Sequence, residues 1–230
     1  MKSVQSVISQ DYKKIEIIFY DDGSSDLSLK KILNLKKKYP KKIKIIQNNN
    51  RGKIYSFNQI DAIKKSISKS KGKIICILDS DDWFKKNKIK KVVNFFKKNK
   101  KQEILFDRPI YSYKNNNFKK SKLDYKKRYD KWPCFPPTSC ISLRKKSLKK
   151  IIHKISTKKF PDLWFDFRIA SFFAIKKGQF NILNEYLTFY RQTSDSFEKN
   201  YNKFVNFSWW KRRNQAFNFI LLLDRKNYNK

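Results

Sequence analysis

The sequence predicts an α/β fold with a mainly parallel sheet flanked by helices. Short apolar runs typical of buried strands occur four times, at residues 15–20, 43–47, 74–78 and 103–106. Segments with helical spacing of apolar residues separate the first three runs. This alternation favours parallel pairing, because each helix carries the chain back across the sheet. The chain has 230 residues, of which 40% are hydrophobic and 16% aromatic, so it can bury a sizeable core.

The chain after residue 85 carries further helix signals. An amphipathic, lysine-rich helix is predicted after Lys85, and an apolar helix over 163–175 that ends at Gly178. A strand-like run follows at 180–183, and residues 204–223 have the pattern of an amphipathic helix. We therefore predict one domain over residues 1–195 and a basic, amphipathic helical tail over 196–230.

Lysine dominates the charge of the chain. Lys and Arg total 56 against 19 Asp and Glu, which gives a formal net charge of +37, and nine of the 56 are arginine. Arginine is the residue that best reads base edges and clamps phosphates, so its scarcity indicates solvated lysine faces. We expect no specific nucleic-acid partner. A Lys-rich nucleic-acid-binding protein is the alternative, although no RNP-like, helix-turn-helix or zinc-finger pattern supports it.

Cysteine, histidine and apolar content indicate the cellular setting. Three cysteines without a CxxC pair and a single histidine make no zinc site, and they suit a reducing compartment. No apolar leader begins the sequence, and no apolar stretch reaches the roughly 20 residues that span a bilayer. We expect a cytoplasmic protein. Residues 209–213 (WWKRR) suit peripheral contact with the anionic inner face of a membrane, or their tryptophans pack on the preceding domain.

Two acidic clusters directly follow predicted strands. Their members are Asp21, Asp22 and Asp26, then Asp79, Asp81 and Asp82. Because the carboxyl ends of parallel strands border the ligand crevice, both clusters should face one cleft. Each segment could instead form a turn and a helix N-cap, a role that Ser25 or Asp26 suits. Carboxylates in a lysine-rich cleft suit a divalent metal, Mg²⁺ or Mn²⁺, that holds a diphosphate.

Four segments, in order, resemble the family 2 glycosyltransferases of GT-A (Rossmann-like) fold. They are SVISQDY at 6–12, EIIFYDDGSSD at 16–26, NNNRG at 48–52 with Asn58 in the following helix, and GKIICILDSDDW at 72–83. The last resembles the family's DxD segment, and LTFYR at 187–191 resembles its late LxxYR element. The resemblance implies a nucleotide-sugar donor half over 1–108 and an acceptor half over 109–195.

The resemblance also implies the residues of a donor site. Asp81 and Asp82 would hold the metal, and Asp21 with Asp22 would lie at the nucleoside. Arg191 would contact phosphate across the cleft, and its alternative is a buried structural ion pair. The residues implied to bind the nucleotide sugar are Asp21, Asp22, Asn58, Asp79, Asp81 and Arg191.

The catalytic base in this family is an acid at the start of a helix, six residues before an arginine. Asp162, ahead of Arg168, matches that pattern. Asp166 is the second candidate, although an Asp within a helix can simply pair with a neighbouring charge. The implied reaction is an in-line displacement: Asp162 deprotonates an acceptor hydroxyl, and the sugar transfers with inversion to a glycan or lipid-linked acceptor.

The sequence departs from the family pattern in two places. The family's first strand, which lies beside the strand ending at Asp21, would precede Met1. An upstream start codon, an inactive copy that only binds nucleotide sugar or glycan, and a substitute strand are the three explanations. In addition, no histidine follows Arg191, where relatives have one that assists the metal, so metal binding is left to the DxD acids.

Overall fold

The computed structural model describes residues 2–49, 52–123, 134–193 and 206–225. Its helices are α1 (Lys2–Ile8), α2 (Ser28–Lys38), α3 (Tyr55–Lys69), α4 (Lys88–Lys98), α5 (Lys145–Ile155), α6 (Phe165–Lys177) and α7 (Phe207–Arg225). Its strands are β1 (Ile17–Asp21), β2 (Ile43–Gln47), β3 (Ile74–Cys76), β4 (Trp83–Phe84), β5 (Ile104–Ser112), β6 (Phe118–Lys120), β7 (Ile141–Arg144) and β8 (Ile182–Arg191). A 3-10 turn over Thr138–Cys140 precedes β7.

These strands form two hydrogen-bonded sheets. β1 and β2 pair in parallel, and the larger sheet has the order β3-β7-β5-β8-β4, with β6 also paired to β5. Within the larger sheet only β5 and β8 are parallel among the described strands. The α/β class is therefore confirmed, but the sheet is mixed rather than mainly parallel. The short strands β4 and β7 lack the long apolar runs that mark parallel strands in the sequence, and both run antiparallel to their neighbours.

The central strand β5 is longer than its apolar run predicted. The run ends at Phe106, whereas the strand continues to Ser112. Pro109 cannot donate a ladder hydrogen bond, and the register between β5 and β8 shifts on both sides of Arg108 to accommodate it. A proline within an apolar run argues against a central strand. In β5 the register shifts beside Arg108 allow Pro109 to occupy a central strand.

An open edge remains on each of β1 and β3. In the described part of the chain, β1 pairs only with β2 and β3 only with β7. The two strands start close together, because the Glu16 carboxylate accepts a hydrogen bond of 2.6 Å from the Gly72 N–H. The family's first strand was expected beside β1, and no described strand takes that place. A substitute strand is therefore not found within the described residues.

The main core lies between the larger sheet and helices α3, α5, α6 and α7. The predicted apolar helix is confirmed as α6, and it ends at Gly178, whose φ of 57° suits glycine. The predicted tail helix is confirmed over the described residues as α7. Its inner face adds Phe219 to the core, where the ring lies 5.6 Å from that of Phe160.

Candidate active site

The second acidic cluster forms a tight turn after β3, residues 79–82, which we call the acidic turn. The Asp82 N–H donates a hydrogen bond of 3.2 Å to the Asp79 carbonyl, and β4 begins at the next residue. Asp81 is exposed at the tip, whereas Asp82 is fully buried. The three acids thus lie at the carboxyl end of a strand, as predicted, with one of them facing solvent and one facing inward.

Two distant segments hold the acidic turn in place. The Asp79 N–H donates to the Ser139 hydroxyl oxygen at 2.9 Å, and the Ser139 side chain is also hydrogen-bonded to the Asp82 carboxyl. The Arg191 N–H donates to Asp82 Oδ1 at 2.8 Å. Asp82 Oδ2 is buried and has no hydrogen-bond partner among the described residues. A buried carboxylate oxygen without a donor is unfavourable unless a cation or water completes it.

The carboxyls of Asp79 and Asp82 are shifted toward their neutral forms. Desolvation, followed by the charges of Asp82 and Asp81, raises the pKa of Asp79 to about 8. Desolvation also raises the pKa of Asp82 to about 7, against the opposing hydrogen bonds from Ser139 and Arg191. The charge of Lys88 lowers the pKa of Asp82 but does not offset the desolvation, and a bound cation would further favour the ionised forms of these acids.

The donor set fits a metal that is shared with a phosphate ligand. In the described part of the chain, no three His, Cys, Asp or Glu side chains form a closed metal cage. Mg²⁺ is commonly held by one or two carboxylates, with water and substrate phosphates as its remaining ligands. The carboxylates of the exposed Asp81 and of the buried Asp82, whose Oδ2 has no hydrogen-bond partner among the described residues, are the candidate ligands for such a metal.

Gln59 on α3 connects the acidic turn to the start of α6. Its side-chain oxygen accepts a hydrogen bond of 3.1 Å from the Phe165 N–H, and its side chain is hydrogen-bonded to Asp79. Asp166 lies in the first turn of α6, and its negative charge contributes to the raised pKa of Asp79. The structure therefore brings Asp166 electrostatically into the same site as the acidic turn.

Asp162 lies on the connection before α6 and is contacted by α7. Its N–H donates to Gln215 Oε1 at 2.9 Å, and Gln215 Nε2 donates to Asp162 Oδ2 at 2.6 Å. Lys211 Nζ lies 3.4 Å from the same Oδ2. Asp162, the first base candidate, is thus contacted by Gln215 and Lys211 of α7. Asp166, the second candidate, instead interacts electrostatically with Asp79 in the acidic turn.

Arg168 shapes the connection that carries Asp162. It is fully buried, and its guanidinium donates to the carbonyl oxygens of Ile155, Thr157, Phe160 and Leu163 at 2.6 to 2.8 Å. Desolvation lowers its pKa to about 10. The arginine six residues after Asp162 therefore acts as an internal brace that sets the path of this segment.

Two acids of the first cluster, Asp21 and Asp26, accept hydrogen bonds that stabilise the turn after β1. The Ser24 side chain and N–H both donate to the buried Asp21 carboxylate, and Asp26 Oδ1 accepts from the Ser28 N–H at 2.9 Å near the start of α2. The N-cap of α2 is Leu27, so the prediction that Ser25 or Asp26 caps this helix is wrong, and Asp26 instead holds the backbone one residue earlier. Asp22 instead accepts a hydrogen bond of 2.8 Å from Asn48 Nδ2, at the carboxyl end of the adjacent β2.

The two remaining predicted donor-site residues, Asn58 and Arg191, contact different parts of the chain. Asn58 Nδ2 donates to the Gly52 carbonyl at 2.7 Å, and a Cβ at Gly52 would lie only 2.6 Å from Asn58 Oδ1. Asn58 thus orders the segment before α3. The Arg191 side chain is exposed, so the alternative of a buried ion pair is wrong, and its N–H supports Asp82 instead.

Sequence reasoning missed the uncharged residues of the site. Ser139, Gln59 and Gln215 each bond an acid of the site across 20 to 60 positions of sequence. None belongs to a motif, and none has an ionisable side chain. The three prolines at 133, 136 and 137, which predict an extended approach to Ser139, are the only local signal for any of them.

The sequence of this chain is similar to those of known glycosyltransferases. The family model described as glycosyl transferase family 2 matches residues 2–179. An uncharacterized glycosyltransferase of Nostoc sp. is 28% identical over 201 residues, which are 83% of this chain and 59% of that protein. The minor teichoic acid biosynthesis protein GgaA of Bacillus subtilis is 36% identical over 97 residues, which are 41% of this chain and 21% of GgaA.

Among solved structures, S. aureus TarS 1–349 in complex with UDP superposes with a TM-score of 0.65 at 15% sequence identity. The match covers 96% of this chain and 60% of the TarS chain, and it shows that the two share the GT-A fold. The chain spans about three fifths of the length of both the Nostoc relative and the TarS chain.

Proposed function

Because the chain belongs to glycosyl transferase family 2, we propose that it transfers a sugar from a nucleotide-diphosphate sugar to an acceptor hydroxyl. The observation that carries the proposal is the acidic turn, in which Asp81 is exposed and the buried Asp82 Oδ2 has no hydrogen-bond partner among the residues that the structure describes. A divalent metal bound with the donor's diphosphate would add positive charge beside these acids. The TarS structure of the same fold contains UDP, which makes a uridine nucleotide the first candidate donor.

We assign the donor site to both acidic clusters. Asp81 and Asp82 would hold Mg²⁺ or Mn²⁺, and the metal would neutralise the charge that develops on the departing diphosphate. Asp22 with Asn48 would contact the nucleoside at the ends of β1 and β2. The further residues assigned to the nucleotide sugar are Asp21, Asn58, Asp79 and Arg191.

The base is assigned to Asp162, with Asp166 as its competitor. The base removes the proton of the acceptor hydroxyl while that oxygen attacks the anomeric carbon, and the nucleoside diphosphate leaves from the opposite face, which inverts the configuration. The four carbonyl contacts of Arg168 support Asp162, because they fix the segment that presents it. The electrostatic contact with Asp79 supports Asp166.

The acceptor is assigned to the second half of the chain. We place the donor half at 1–108 and the acceptor half at 109–195, followed by the tail at 196–230. The role of GgaA in minor teichoic acid biosynthesis favours a cell-surface polysaccharide or a lipid-linked precursor as acceptor. A lipid-linked acceptor would bring the protein to the inner face of the cytoplasmic membrane.

The outer face of α7 suits that membrane contact. Its exposed apolar side chains are Phe207, Trp210, Phe217 and Leu221, which we call the apolar stripe. Their spacing places them on the side of the helix away from the buried Phe219, with Lys211 and Arg213 at the flanks. An apolar face bordered by cations is typical of helices that lie in an anionic bilayer surface. No described helix is both long enough and apolar enough to cross the bilayer.

Nucleoside diphosphate release tests the proposed activity. UDP-, GDP- and dTDP-hexoses are incubated with Mn²⁺ and a bacterial lipid extract, and the free diphosphate is measured for the wild type and for Asp162→Asn. We expect release from one donor that depends on the extract and is lost in the variant. Absence of release from every donor by a folded protein would favour the inactive relative that only binds nucleotide sugar or glycan.

A further inference from the structure

A buried ion pair lies directly behind the acidic turn. Lys88 on α4 and Asp107 on β5 are 0% and 1% exposed, and Lys88 Nζ lies 2.6 Å from Asp107 Oδ1. Neither residue belongs to the donor site or the base proposed above. We propose that this pair is a positioning unit, which acts through Ser139 to keep the acidic turn in the shape that binds metal and nucleotide.

The Lys88 ammonium makes three close polar contacts within the protein. Besides the contact with Asp107, it donates to Thr188 Oγ1 at 2.6 Å and to the Ser139 carbonyl at 2.8 Å. Thr188 Oγ1 in turn donates to Asp107 Oδ2 at 2.6 Å. The Lys88 ammonium on α4 therefore contacts three other elements, namely β5, β8 and the 3-10 turn before β7. These contacts fix the position of Ser139 relative to the sheet.

Ser139 transmits this position to the acids. Its carbonyl is bound by Lys88, while its hydroxyl accepts from the Asp79 N–H and is hydrogen-bonded to the Asp82 carboxyl. A movement of the 3-10 turn would disturb both acids at once. Arg191, the other support of Asp82, lies three residues after Thr188 on the same strand. Lys88 thus contacts both segments that bond the acidic turn, the 3-10 turn at Ser139 and the strand β8 at Thr188.

Stability alone does not call for this arrangement. Two apolar side chains of similar volume commonly stabilise a core as well as a buried ion pair does, because the charges lose their hydration. An ion pair with directional hydrogen bonds differs from an apolar pair in the precision with which it orients its partners. The feature that only the ion pair supplies here is the orientation of the Ser139 carbonyl, and with it the hydroxyl that bonds Asp79 and Asp82.

The test removes both charges together, so that neither is left buried alone. The variant is Lys88→Met with Asp107→Leu, and Ser139→Ala is a second variant that breaks only the last link. The matched control is Lys91→Met with Glu185→Leu, which removes an exposed ion pair of 3.1 Å between α4 and β8. Amide hydrogen exchange of the metal-free proteins is compared, followed by the affinity for UDP with Mn²⁺.

We expect the Asp79 amide to exchange at least about tenfold faster in the double variant and in Ser139→Ala, while the amides of β5 stay protected as in the control. Unchanged exchange in the acidic turn, or an equal increase throughout β5 and β8, would overturn the proposal, because the pair would then be inert or purely structural.

The affinity measurement rests on the proposed function and separates it from the positioning role. In a wild type that binds UDP, we expect the two variants to bind it at least about tenfold more weakly, and unchanged affinity would contradict the proposal. A wild type that binds no nucleotide would contradict the proposed function instead, and the exchange data would still decide the role of Lys88.

Discussion

The Arg191 N–H donates a hydrogen bond of 2.8 Å to Asp82 Oδ1 across 109 positions of sequence. This bond joins the end of β8 to the acidic turn that follows β3. The neighbouring strand β4 strengthens the joint, because Trp83 stacks on Phe189 of β8 with ring centroids 5.0 Å apart. The acids of the proposed donor site are consequently fixed to the larger sheet. Residues fixed to a sheet form a more rigid ligand site than residues of a free loop.

Substitution of the two base candidates should distinguish them. Asp162→Asn should lower kcat by roughly 10² to 10⁴, because a general base contributes that much, while the affinity for the donor nucleotide changes little. Asp166→Asn should leave kcat within about tenfold of the wild type. The measurement is diphosphate release at saturating donor. A larger loss of kcat in Asp166→Asn would transfer the role of base to that residue.

Removal of the buried Arg168 should destabilise the fold. Arg168→Met leaves four carbonyl oxygens without their donor, so the free energy of unfolding should fall by at least about 3 kcal/mol. Urea denaturation measures the change. Arg191→Met is the matched control, and because that side chain is exposed it should alter stability by less than about 0.5 kcal/mol. Equal stability of the two variants would contradict the bracing role.

The metal-free protein should lose stability as the pH rises toward 8. The pKa values of Asp79 and Asp82 are raised to about 8 and about 7, so between pH 4 and these values the folded state binds more protons than the unfolded state. Each carboxyl then lowers the free energy of unfolding by at most about 1.4 kcal/mol per pH unit. Urea denaturation in EDTA at a series of pH values, with Asp79→Asn beside the wild type, measures this.

The difference between the two proteins is the informative quantity, because the many lysines titrate in both. The advantage of Asp79→Asn in unfolding free energy should grow from about pH 4 and level off above about pH 8. A difference that is constant with pH would show that Asp79 is ionised in the folded, metal-free protein throughout this range.

The apolar stripe of α7 should bind anionic vesicles. We expect sedimentation of the protein with phosphatidylglycerol vesicles, weak binding to phosphatidylcholine vesicles, and loss of binding in Trp210→Ser with Phe217→Ser, since both side chains are exposed. The control is Leu27→Ser, which removes an exposed apolar side chain elsewhere on the surface. Vesicle binding by the double variant equal to that of the wild type would contradict the role of the apolar stripe. The charge of the lysines would then account for the binding.

The parts of the site that were predictable from sequence are those set by local patterns. The apolar run before Asp79 and the acids that follow it predict a ligand site at a strand end, and the structure has the acidic turn there. The apolar segment closed by Gly178 likewise predicts α6. In each case neighbouring residues determine the element, so the pattern is readable along the chain.

The remaining features depend on distant residues. Asp82 is buried and its neighbour Asp81 is exposed, because Asp82 is the acid that contacts Ser139 and the Arg191 N–H. The antiparallel strand β7 was missed because its four residues carry no alternation long enough to mark a strand. Tertiary pairing determines both features, and the sequence around each is compatible with several outcomes.

A thermal-shift screen tests the central claim most directly, namely that the acidic turn binds a nucleoside diphosphate through a metal. The wild type and the variant with Asp81→Asn and Asp82→Asn are melted with UDP, GDP, dTDP and CMP, with and without Mn²⁺, and Asp61→Asn, an exposed acid on α3, is the control. We predict a rise in Tm with one nucleotide that requires Mn²⁺, persists in the control and vanishes in the double variant. A rise that needs no metal, or that the double variant retains, would contradict the claim.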